Sequence, residues 1–330
     1  MKKIAINGFG RIGRLTLRHI WEDQNVEVVA INDLTDPATL AHLLAYDSAH
    51  GRWKEEKITS TKNSIIIDGK EIKVFSERDP KLLPWKEEEI DIVIEATGFF
   101  ASKEASQAHI DAGAKKVVIS APAKGDLKTI VYNVNHDEIT ADDKIISAAS
   151  CTTNSLAPIV SAIHSQFGIE AGFMTTIHAY TNDQRMVDSP HADLRRARAG
   201  AANIIPTSTG AAAAIGLVIP ALKGKLDGNS MRVPVLTGSV IDFTFTLKNE
   251  ATVKEINQAI EDKKSESVKY STAPLVSSDI VGETAGTIFD SQLTTIVKGK
   301  TKLYKVVTWY DNESSYVNQL IRVVRHVSAL

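Results

Sequence analysis

The chain of 330 residues contains one cysteine, Cys151, in the run Ser-Cys-Thr-Thr-Asn at 150–154. An apolar, strand-like segment at 145–149 precedes it, and a helix is predicted over 152–167. A thiol at such a turn faces unpaired backbone N–H groups and the positive end of the helix dipole, and both favour the thiolate. Lone cysteines also occur as inert core packing, so a nucleophile and a structural thiol both remain open.

His178 is the second side chain that could do chemistry, because it lies near the end of a predicted strand. An imidazole can take up and release a proton near neutral pH. Histidines that only support structure are nevertheless common. Cys151 and His178 form a catalytic pair only if the fold brings their two separate elements together.

Gly8, Gly10 and Gly13 form the pattern G-x-G-x-x-G, between an apolar strand at 3–7 and a predicted helix at 14–21. In a dinucleotide-binding turn the first glycine permits the tight turn and the second lets a pyrophosphate approach the backbone. The third lets the helix pack closely on the strand. Asp33 ends the next strand about 20 residues later, where a carboxylate binds a ribose. The spacing predicts a dinucleotide site; the alternative is a purely structural strand–turn–helix.

The elements of the first half alternate between short apolar strands and helices. Strands that are apolar throughout are covered on both faces, which is typical of a parallel sheet between helices. The further strands are predicted at 26–31, 90–96, 116–120 and 145–149, with a helix at 102–112. We therefore expect an α/β fold here, a Rossmann-like doubly wound parallel sheet.

After residue 150 the pattern changes, because the segments 172–179, 240–247 and 302–309 alternate apolar with polar residues. Such alternation indicates a mainly antiparallel sheet with one covered face, and helices are predicted at 252–263 and at the C-terminus. We expect a dinucleotide-binding domain over 1–150 and an α+β catalytic domain over 151–312.

The composition is that of a globular protein, with 43% hydrophobic residues, 24% charged residues and a net charge of -2. The charge balance gives no bulk positive field, so we expect no nucleic-acid partner. No apolar run approaches about 18 residues and the N-terminus lacks a signal-peptide pattern, so no membrane association is expected. With one cysteine, the chain is predicted to be cytoplasmic. No metal site is predicted.

Over the whole chain, six motifs resemble those of the phosphorylating glyceraldehyde-3-phosphate dehydrogenase family and occur in the same order. They are INGFGRIGR (6–14), SCTTN (150–154), HAYTNDQ (178–184), DLRRARAGAANIIPTSTGAA (193–212), MRVPVLTGSV (231–240) and WYDNE (309–313). The resemblance implies a glycolytic enzyme that oxidises glyceraldehyde 3-phosphate with NAD and inorganic phosphate, giving 1,3-bisphosphoglycerate.

The family's catalytic residues match Cys151 and His178. The resemblance implies that Cys151 attacks the aldehyde to give a thiohemiacetal and then a thioester. It implies that His178 forms an ion pair with the thiolate and handles the proton. The family's ligands for the substrate phosphate and the attacking phosphate match Ser150, Thr152, Thr181, Arg196, Thr209, Gly210 and Arg232.

The family's NAD ligands match residues in both halves of the chain. These are Gly8, Gly10, Arg11, Ile12, Gly13, Asp33, Arg78, Thr97, Gly98, Ser120, Asn182, Asn312 and Tyr316. The resemblance further implies that a helix at 313–330 packs back on the first domain. It also implies a homotetramer, in which the loop 180–203 reaches towards a neighbouring subunit.

Alternatives to this function stay open. Ser189 stands where NAD-using members often have Leu or Gly, so some use of NADP remains possible. A related erythrose-4-phosphate dehydrogenase would release its acyl group to water, but Arg196 and the pair Thr209-Gly210 favour phosphate. A non-catalytic binding or adhesion protein is the third interpretation, which the presence of both Cys151 and His178 disfavours.

Overall fold

The computed structural model describes residues 1–299 and 301–330, which form two compact units. The first unit comprises Met1–Ala149 and Leu320–Leu330, and the second comprises Ser150–Gln319. Within the first unit, Arg325 of the C-terminal segment donates a hydrogen bond from Nε to Asp23 Oδ2.

The first unit is built on a nine-stranded sheet in the order β3-β4-β5-β2-β1-β6-β7-β9-β8. The strands are β1 Lys2–Asn7, β2 Val26–Asn32, β3 Ile58–Ser60, β4 Ser64–Ile67, β5 Lys70–Phe75, β6 Ile92–Glu95, β7 Lys116–Ile119, β8 Lys128–Thr129 and β9 Ile145–Ser147. The helices are α1 Arg11–Ile20, α2 Pro37–Ala45 and α3 Lys103–Asp111. The predicted parallel sheet is confirmed, with an antiparallel β3-β4-β5 segment at one edge.

The order of the strands reverses at β1. From β2 the chain crosses to the edge of the sheet at β3 and returns through β4 to β5, which lies beside β2. It then continues on the other side of β1 with β6, β7 and β9. Ligands of such sheets bind beyond the carboxyl ends of the strands at this reversal point. Asn7 pairs in register with Asn32 on one side and with Glu95 on the other, so these three residues end neighbouring strands at one level.

Burial explains why the central strands of this unit are largely apolar. Ile4, Ala5 and Ile6 of β1 are completely buried, as expected where helices cover both faces. Helix α1 begins at Arg11, three residues before the predicted start, so it emerges directly from the glycine turn. Helix α2 and the strands β3 to β5 were not predicted.

The second unit contains a seven-stranded sheet in the order β11-β12-β10-β13-β16-β15-β14. The strands are β10 Ile169–Ala179, β11 Ile205–Ser208, β12 Leu226–Val233, β13 Ser239–Leu247, β14 Val268–Ser271, β15 Thr287–Val297 and β16 Leu303–Tyr310. The helices are α4 Cys151–Phe167, α5 Ala211–Val218 and α6 Val253–Glu261. The last helix, α7 Ser314–Ala329, begins in this unit and continues into the first unit from Leu320.

This sheet is mixed and mainly antiparallel, as predicted, and β13 alternates buried and half-buried residues along its whole length. Two pairs are parallel, β10 with β12 and β14 with β15. The parallel register of β10 and β12 sets His178 directly beside Arg232. That neighbour relationship shapes the candidate active site.

Candidate active site

Cys151 is the first residue of α4, and the turn before the helix explains its placement. Ala149 adopts a positive φ of 57°, and Ser150 caps the helix by accepting a hydrogen bond from the backbone N–H of Thr153 at 3.1 Å. The thiol therefore lies in the first turn, where the helix dipole favours negative charge. The side chain remains partly accessible.

The fold brings the thiol and the imidazole together. Cys151 Sγ lies 3.4 Å from His178 Nε2. The Nδ1–H of His178 donates to the backbone oxygen of Ala179 at 2.7 Å, which leaves the Nε2 lone pair facing the thiol. This geometry allows the thiol to donate to Nε2 of a neutral imidazole.

Arg232 lies beside this pair. Its Nη1 also donates to Ala179 O, at 3.2 Å, and touches His178 Nδ1, so two donors converge on one carbonyl. Burial, assisted by the Arg232 charge, lowers the pKa of His178 to about 3. Burial raises the pKa of the Cys151 thiol, although the Arg232 charge opposes that shift. Burial also lowers the pKa of Arg232.

The shifts of both pKa values oppose the thiolate–imidazolium ion pair that the resemblance implies. A protonated His178 would place two cations side by side in a buried site, next to Arg232, which is unfavourable. The expected low pKa of Cys151 is also not found, because removal of the thiol from water outweighs the nearby positive charge. Both pKa shifts therefore favour the neutral thiol and the neutral imidazole.

A buried hydroxyl chain fixes the surroundings of the thiol. The Tyr310 hydroxyl lies 2.9 Å from Thr152 Oγ1 and 2.8 Å from Thr176 Oγ1. The Tyr310 ring also packs edge-on against His178, with 5.9 Å between ring centres. Burial raises the pKa of Tyr310 above its usual value, so the phenol keeps its proton. Sequence reasoning missed Thr176 and Tyr310, although Tyr310 lies within WYDNE.

The remaining predicted anion ligands lie in and after the loop that follows β10. Arg196 donates from Nε to Thr207 Oγ1 at 2.8 Å and pairs with Asp183. Gly210 is the N-cap of α5 and provides no side-chain cap, and Thr209 Oγ1 accepts a hydrogen bond from Ala211 N at 3.2 Å. Like the start of α4, this helix start suits an anion. The backbone N–H of Thr181 donates to Gln184 Oε1.

Asn312 is held in one amide orientation. Ser239 Oγ accepts from Ala179 N at 3.1 Å, so its single proton is available to donate to Asn312 Oδ1, at 2.9 Å. This bond leaves the Asn312 Nδ2 group as the donor for a ligand. Ser239 was not predicted. Asn182 is exposed, and Tyr316 is buried in α7, which raises its pKa.

The glycine turn of the first unit fits a dinucleotide. Gly8 has a φ of +91°, and a Cβ there would lie 2.7 Å from Thr97 N. A Cβ on Gly13 would meet Gly8 O at 2.3 Å, whereas nothing lies within 4 Å of the Cβ position on Gly10. Gly10 is the N-cap of α1 and makes no side-chain cap hydrogen bond, and the positive end of the helix suits the negative charge of a pyrophosphate.

The other predicted NAD ligands of the first unit follow the carboxyl ends of its strands. Asp33 follows β2, and its Oδ2 accepts from Phe9 N of the glycine turn at 2.8 Å. Arg78 follows β5 and is exposed, Thr97 and Gly98 follow β6, and Ser120 follows β7. A cavity of about 730 Å³ beside this edge is lined by residues after β2 and in β5, among them Leu34, Thr35 and Phe75.

Arg11 and Ile12, two of the predicted NAD ligands, lie in the first turn of α1. Arg11 forms a two-pronged ion pair with Asp47, at 2.8 and 3.1 Å. Although burial opposes the shift, hydrogen bonds with His50 and then Arg11 lower the pKa of the Asp47 carboxyl. Ile12 is half-buried in the same first turn. Their backbone N–H groups, rather than these side chains, face the start of the helix.

Residues 1–299 and 301–330 contain neither a metal-binding cluster nor a membrane-spanning helix. No cluster of three or more His, Cys, Asp or Glu side chains there could hold a metal ion. Across the same residues, no helix has the length and apolar character needed to cross a bilayer.

The fold and the two sites define a dinucleotide-dependent dehydrogenase with a cysteine thiol in its catalytic unit. Residues 2–103 match the NAD binding domain of glyceraldehyde 3-phosphate dehydrogenase, and residues 150–312 match its C-terminal domain. The chain belongs to the glyceraldehyde-3-phosphate dehydrogenase family, and NAD is its cofactor.

Individual relatives agree with this family. The chain is 56% identical to glyceraldehyde-3-phosphate dehydrogenase of Clostridium pasteurianum over 333 residues, which cover 100% of this chain and 99% of the relative. It is 59% identical to the Mycoplasma pneumoniae enzyme of the same name over 330 residues, which cover 99% and 98%.

Proposed function

We propose that this chain oxidises glyceraldehyde 3-phosphate with NAD and inorganic phosphate, giving 1,3-bisphosphoglycerate, with Cys151 as the nucleophile. The observation that carries the proposal is the 3.4 Å approach of Cys151 Sγ to His178 Nε2 at the start of α4. A thiol beside a free imidazole lone pair is the arrangement that generates a thiolate.

His178 supplies the proton transfers of the first half-reaction. Its Nε2 accepts the thiol proton while Sγ adds to the aldehyde carbon, and the same proton then reaches the new oxyanion. The resulting thiohemiacetal carries a C–S bond and a hydroxyl group within reach of Nε2. When bound, NAD supplies the acceptor for the carbon-bound hydrogen and its two electrons. His178 accepts the hydroxyl proton as the thioester forms.

Phosphate completes the reaction. A phosphate oxygen attacks the thioester carbon, the C–S bond breaks, and Cys151 leaves as the thiolate. Arg232, Arg196 and the uncapped start of α5 at Gly210 are cationic or N–H-donating groups that suit the two phosphates. We assign Arg232 to the substrate phosphate, whose negative charge offsets the guanidinium beside His178 and makes protonation of His178 easier.

Cofactor binding and thiol chemistry are assigned to different parts of the chain. Residues 1–150, with the helix at 313–330, bind the cofactor, and residues 151–312 carry the thiol chemistry. The segment that includes Met186 and Leu194 exposes large apolar side chains, 86% and 81% accessible, which supports contact with further subunits in a homotetramer. A cytoplasmic location suits a chain that depends on one reduced thiol.

The test is NAD reduction with glyceraldehyde 3-phosphate, with and without phosphate or arsenate. The proposal expects steady turnover with either anion, because arsenate has the same charge and shape. Without an anion, the enzyme should give a burst of at most about one NADH per subunit and then stall as the acyl-enzyme. Equal turnover without any anion, and with erythrose 4-phosphate as the better substrate, contradicts the proposal in favour of the hydrolytic relative.

A further inference from the structure

A buried carboxylate lies directly beneath the dinucleotide-binding edge of the first unit. Glu95, the last residue of β6, is only 1% exposed. A buried charge is costly unless hydrogen bonds replace its water. Its partners are therefore informative, and none of them belongs to the candidate active site described above except Thr97.

Each oxygen of Glu95 accepts two hydrogen bonds. Oε1 accepts from the backbone N–H of Thr97 at 2.8 Å and from the Thr97 hydroxyl. Oε2 accepts from Asn7 Nδ2 at 2.6 Å and from His109 Nε2 at 3.1 Å. All four lone-pair positions face a donor, so the site is built for an ionised carboxylate and has no place for a carboxyl proton.

Trp85 fixes the proton on His109. The indole Nε1–H, which can only donate, lies 3.0 Å from His109 Nδ1. Nδ1 must therefore be unprotonated, and a neutral ring carries its proton on Nε2, where it points at Glu95. His109 and Trp85 are both completely buried, so water offers no alternative partner.

The network continues across the neighbouring strands. Asn32 Nδ2 donates to Asn7 Oδ1 at 2.7 Å, which fixes the Asn7 amide with its Nδ2 towards Glu95. Asn32 Oδ1 in turn accepts from the backbone N–H of Glu77 at 2.8 Å. The chain of hydrogen bonds thus joins the ends of β1, β2 and β6 to the segment after β5.

The network joins three segments that carry predicted NAD ligands, including the glycine turn after β1. Asn7 precedes Gly8, Asn32 precedes Asp33, and Thr97 precedes Gly98, which adopts a positive φ of 77°. Thr97 Oγ1 also accepts from Phe99 N at 3.1 Å, so the hydroxyl held by Glu95 shapes the loop after β6.

We infer that Glu95 and His109 are positioning residues for the dinucleotide, which preset the turns after β1 and β6 before the cofactor arrives. This inference rests on the proposed function. Neither side chain need touch NAD. Without Glu95 and His109, the turns after β1 and β6 would adopt the NAD-binding conformation in only a fraction of the molecules. The apparent Kd for NAD rises as that fraction falls.

Glu95→Gln is the first test, because it keeps the shape of the side chain and replaces one accepting oxygen with a donating NH₂ group. In either amide orientation an NH₂ group faces donors that the carboxylate satisfied. We expect the Kd for NAD, measured by calorimetry on the unliganded protein, to rise about 10-fold or more as the competent fraction falls to about a tenth. An unchanged Kd in a folded Glu95→Gln protein overturns the inference.

A polarity exchange provides the rescue. Asn7→Asp alone sets two carboxylates against each other and should also weaken NAD binding. In the double variant Asn7→Asp with Glu95→Gln, the new amide donates to the new carboxylate, which still accepts from Asn32. Asn7 Nδ2 lies 3.3 Å from His109 Nε2, so a carboxylate oxygen in its place can also accept the His109 proton. The Kd should return to within about threefold of the unmodified value, a coupling that general destabilisation cannot produce. Additive losses contradict the proposal.

A matched control separates affinity from stability. Ile65→Val lies in β4, three strands away from β1, and trims a completely buried side chain. It should lower the melting temperature and leave the Kd for NAD unchanged. A Kd that follows the melting temperature in Ile65→Val as it does in Glu95→Gln contradicts a specific positioning role.

The tautomer of His109 can be measured in the unmodified protein, so this test does not depend on whether a variant folds or binds NAD. Histidine-selective ¹⁵N spectra of the unmodified protein, assigned with His109→Gln, should show Nε2 protonated and Nδ1 bare. A proton on Nδ1 overturns the inference even if Glu95→Gln does not fold. If the unmodified chain binds no NAD, the proposed function fails first, whereas unchanged NAD binding in Glu95→Gln leaves that function standing.

Discussion

His178 and Arg232 donate to the same carbonyl oxygen, that of Ala179, at 2.7 and 3.2 Å. Their parallel strands β10 and β12 place them side by side, with the guanidinium against the imidazole. The imidazole is therefore kept neutral by a neighbouring cation as well as by burial. The site therefore resists protonation of this ring unless an anion offsets the charge of the guanidinium.

The stability of the fold should consequently depend on pH through His178. Its pKa is about 3 in the folded chain and about 6.5 when unfolded, so between these values the unfolded state binds one more proton. Stability is then lost as the pH falls below about 6.5, by about 1.4 kcal/mol per pH unit down to about pH 3. Urea unfolding at several pH values measures this slope, and His178→Asn should reduce it.

Arg232→Gln separates the contribution of the guanidinium from that of burial. Removing the cation should raise the pKa of His178 towards its ordinary value and narrow the pH range over which stability is lost. Arg198→Gln is the matched control, because Arg198 is exposed and paired with Asp188. Identical pH profiles for both variants and the unmodified protein would show that Arg232 does not act on His178.

The reactivity of the thiol should follow its raised pKa. Because burial favours the neutral thiol, alkylation by iodoacetamide should accelerate as the pH rises into the alkaline range. One equivalent should abolish turnover, since the chain has no other cysteine. Arg232→Gln should move the alkylation profile to higher pH, because the Arg232 charge lowers the pKa of Cys151. Mass spectrometry measures the modified fraction.

Cys151→Ser tests the catalytic assignment itself. This variant should bind NAD as the unmodified protein does and show no turnover, because the hydroxyl is a far weaker nucleophile at neutral pH. Calorimetry with NAD is the control for folding. Residual turnover above the uncatalysed rate would remove Cys151 from the mechanism.

The carboxylate of Asp33 should set the cofactor preference. A fixed negative charge after β2 repels the 2′-phosphate of NADP, so NAD should be preferred. Asp33→Ala should narrow this preference, mainly by weakening NAD about 10- to 100-fold through loss of a hydrogen bond to a charged group. Asp33→Asn retains an acceptor for Phe9 N and is the control for the turn. Equal kcat/KM with both cofactors in the unmodified protein contradicts this prediction and directs attention to Ser189.

Thr209 and Arg232 should affect different half-reactions. Thr209→Ala removes one hydroxyl ligand, worth roughly 1–3 kcal/mol, and should weaken the use of phosphate about 5- to 150-fold while sparing the NADH burst. Thr209→Ser keeps the hydroxyl and should retain most of the activity. Arg232→Ala should reduce the burst itself, because it impairs binding of the sugar phosphate. Rapid-mixing absorbance at 340 nm separates the two; a burst lost with Thr209→Ala contradicts the assignment.

Much of the architecture followed from the sequence because the responsible forces are local or periodic. The apolar strands β1, β2, β6, β7 and β9 could be identified because a strand buried on both faces contains few polar residues. The glycine turn was predictable because Gly8 and Gly13 meet a steric requirement that no other residue satisfies. Helix α2 and strands β3 to β5 were missed because their boundaries depend on packing rather than on an unbroken periodic pattern.

The sequence by itself determined the residue types of the site: one thiol, one imidazole near a strand end, and guanidinium groups for phosphate. The tertiary structure alone decided their charges. Arg232 is 54 residues from His178 in the chain, and only the parallel pairing of β10 and β12 sets them side by side. Similarly, the proton of His109 faces Glu95 only because Trp85 donates to His109 Nδ1 in the folded core. Asn7 donates to the same carboxylate. Protonation depends on desolvation and on neighbours distant in sequence, and neither exists before the chain has folded.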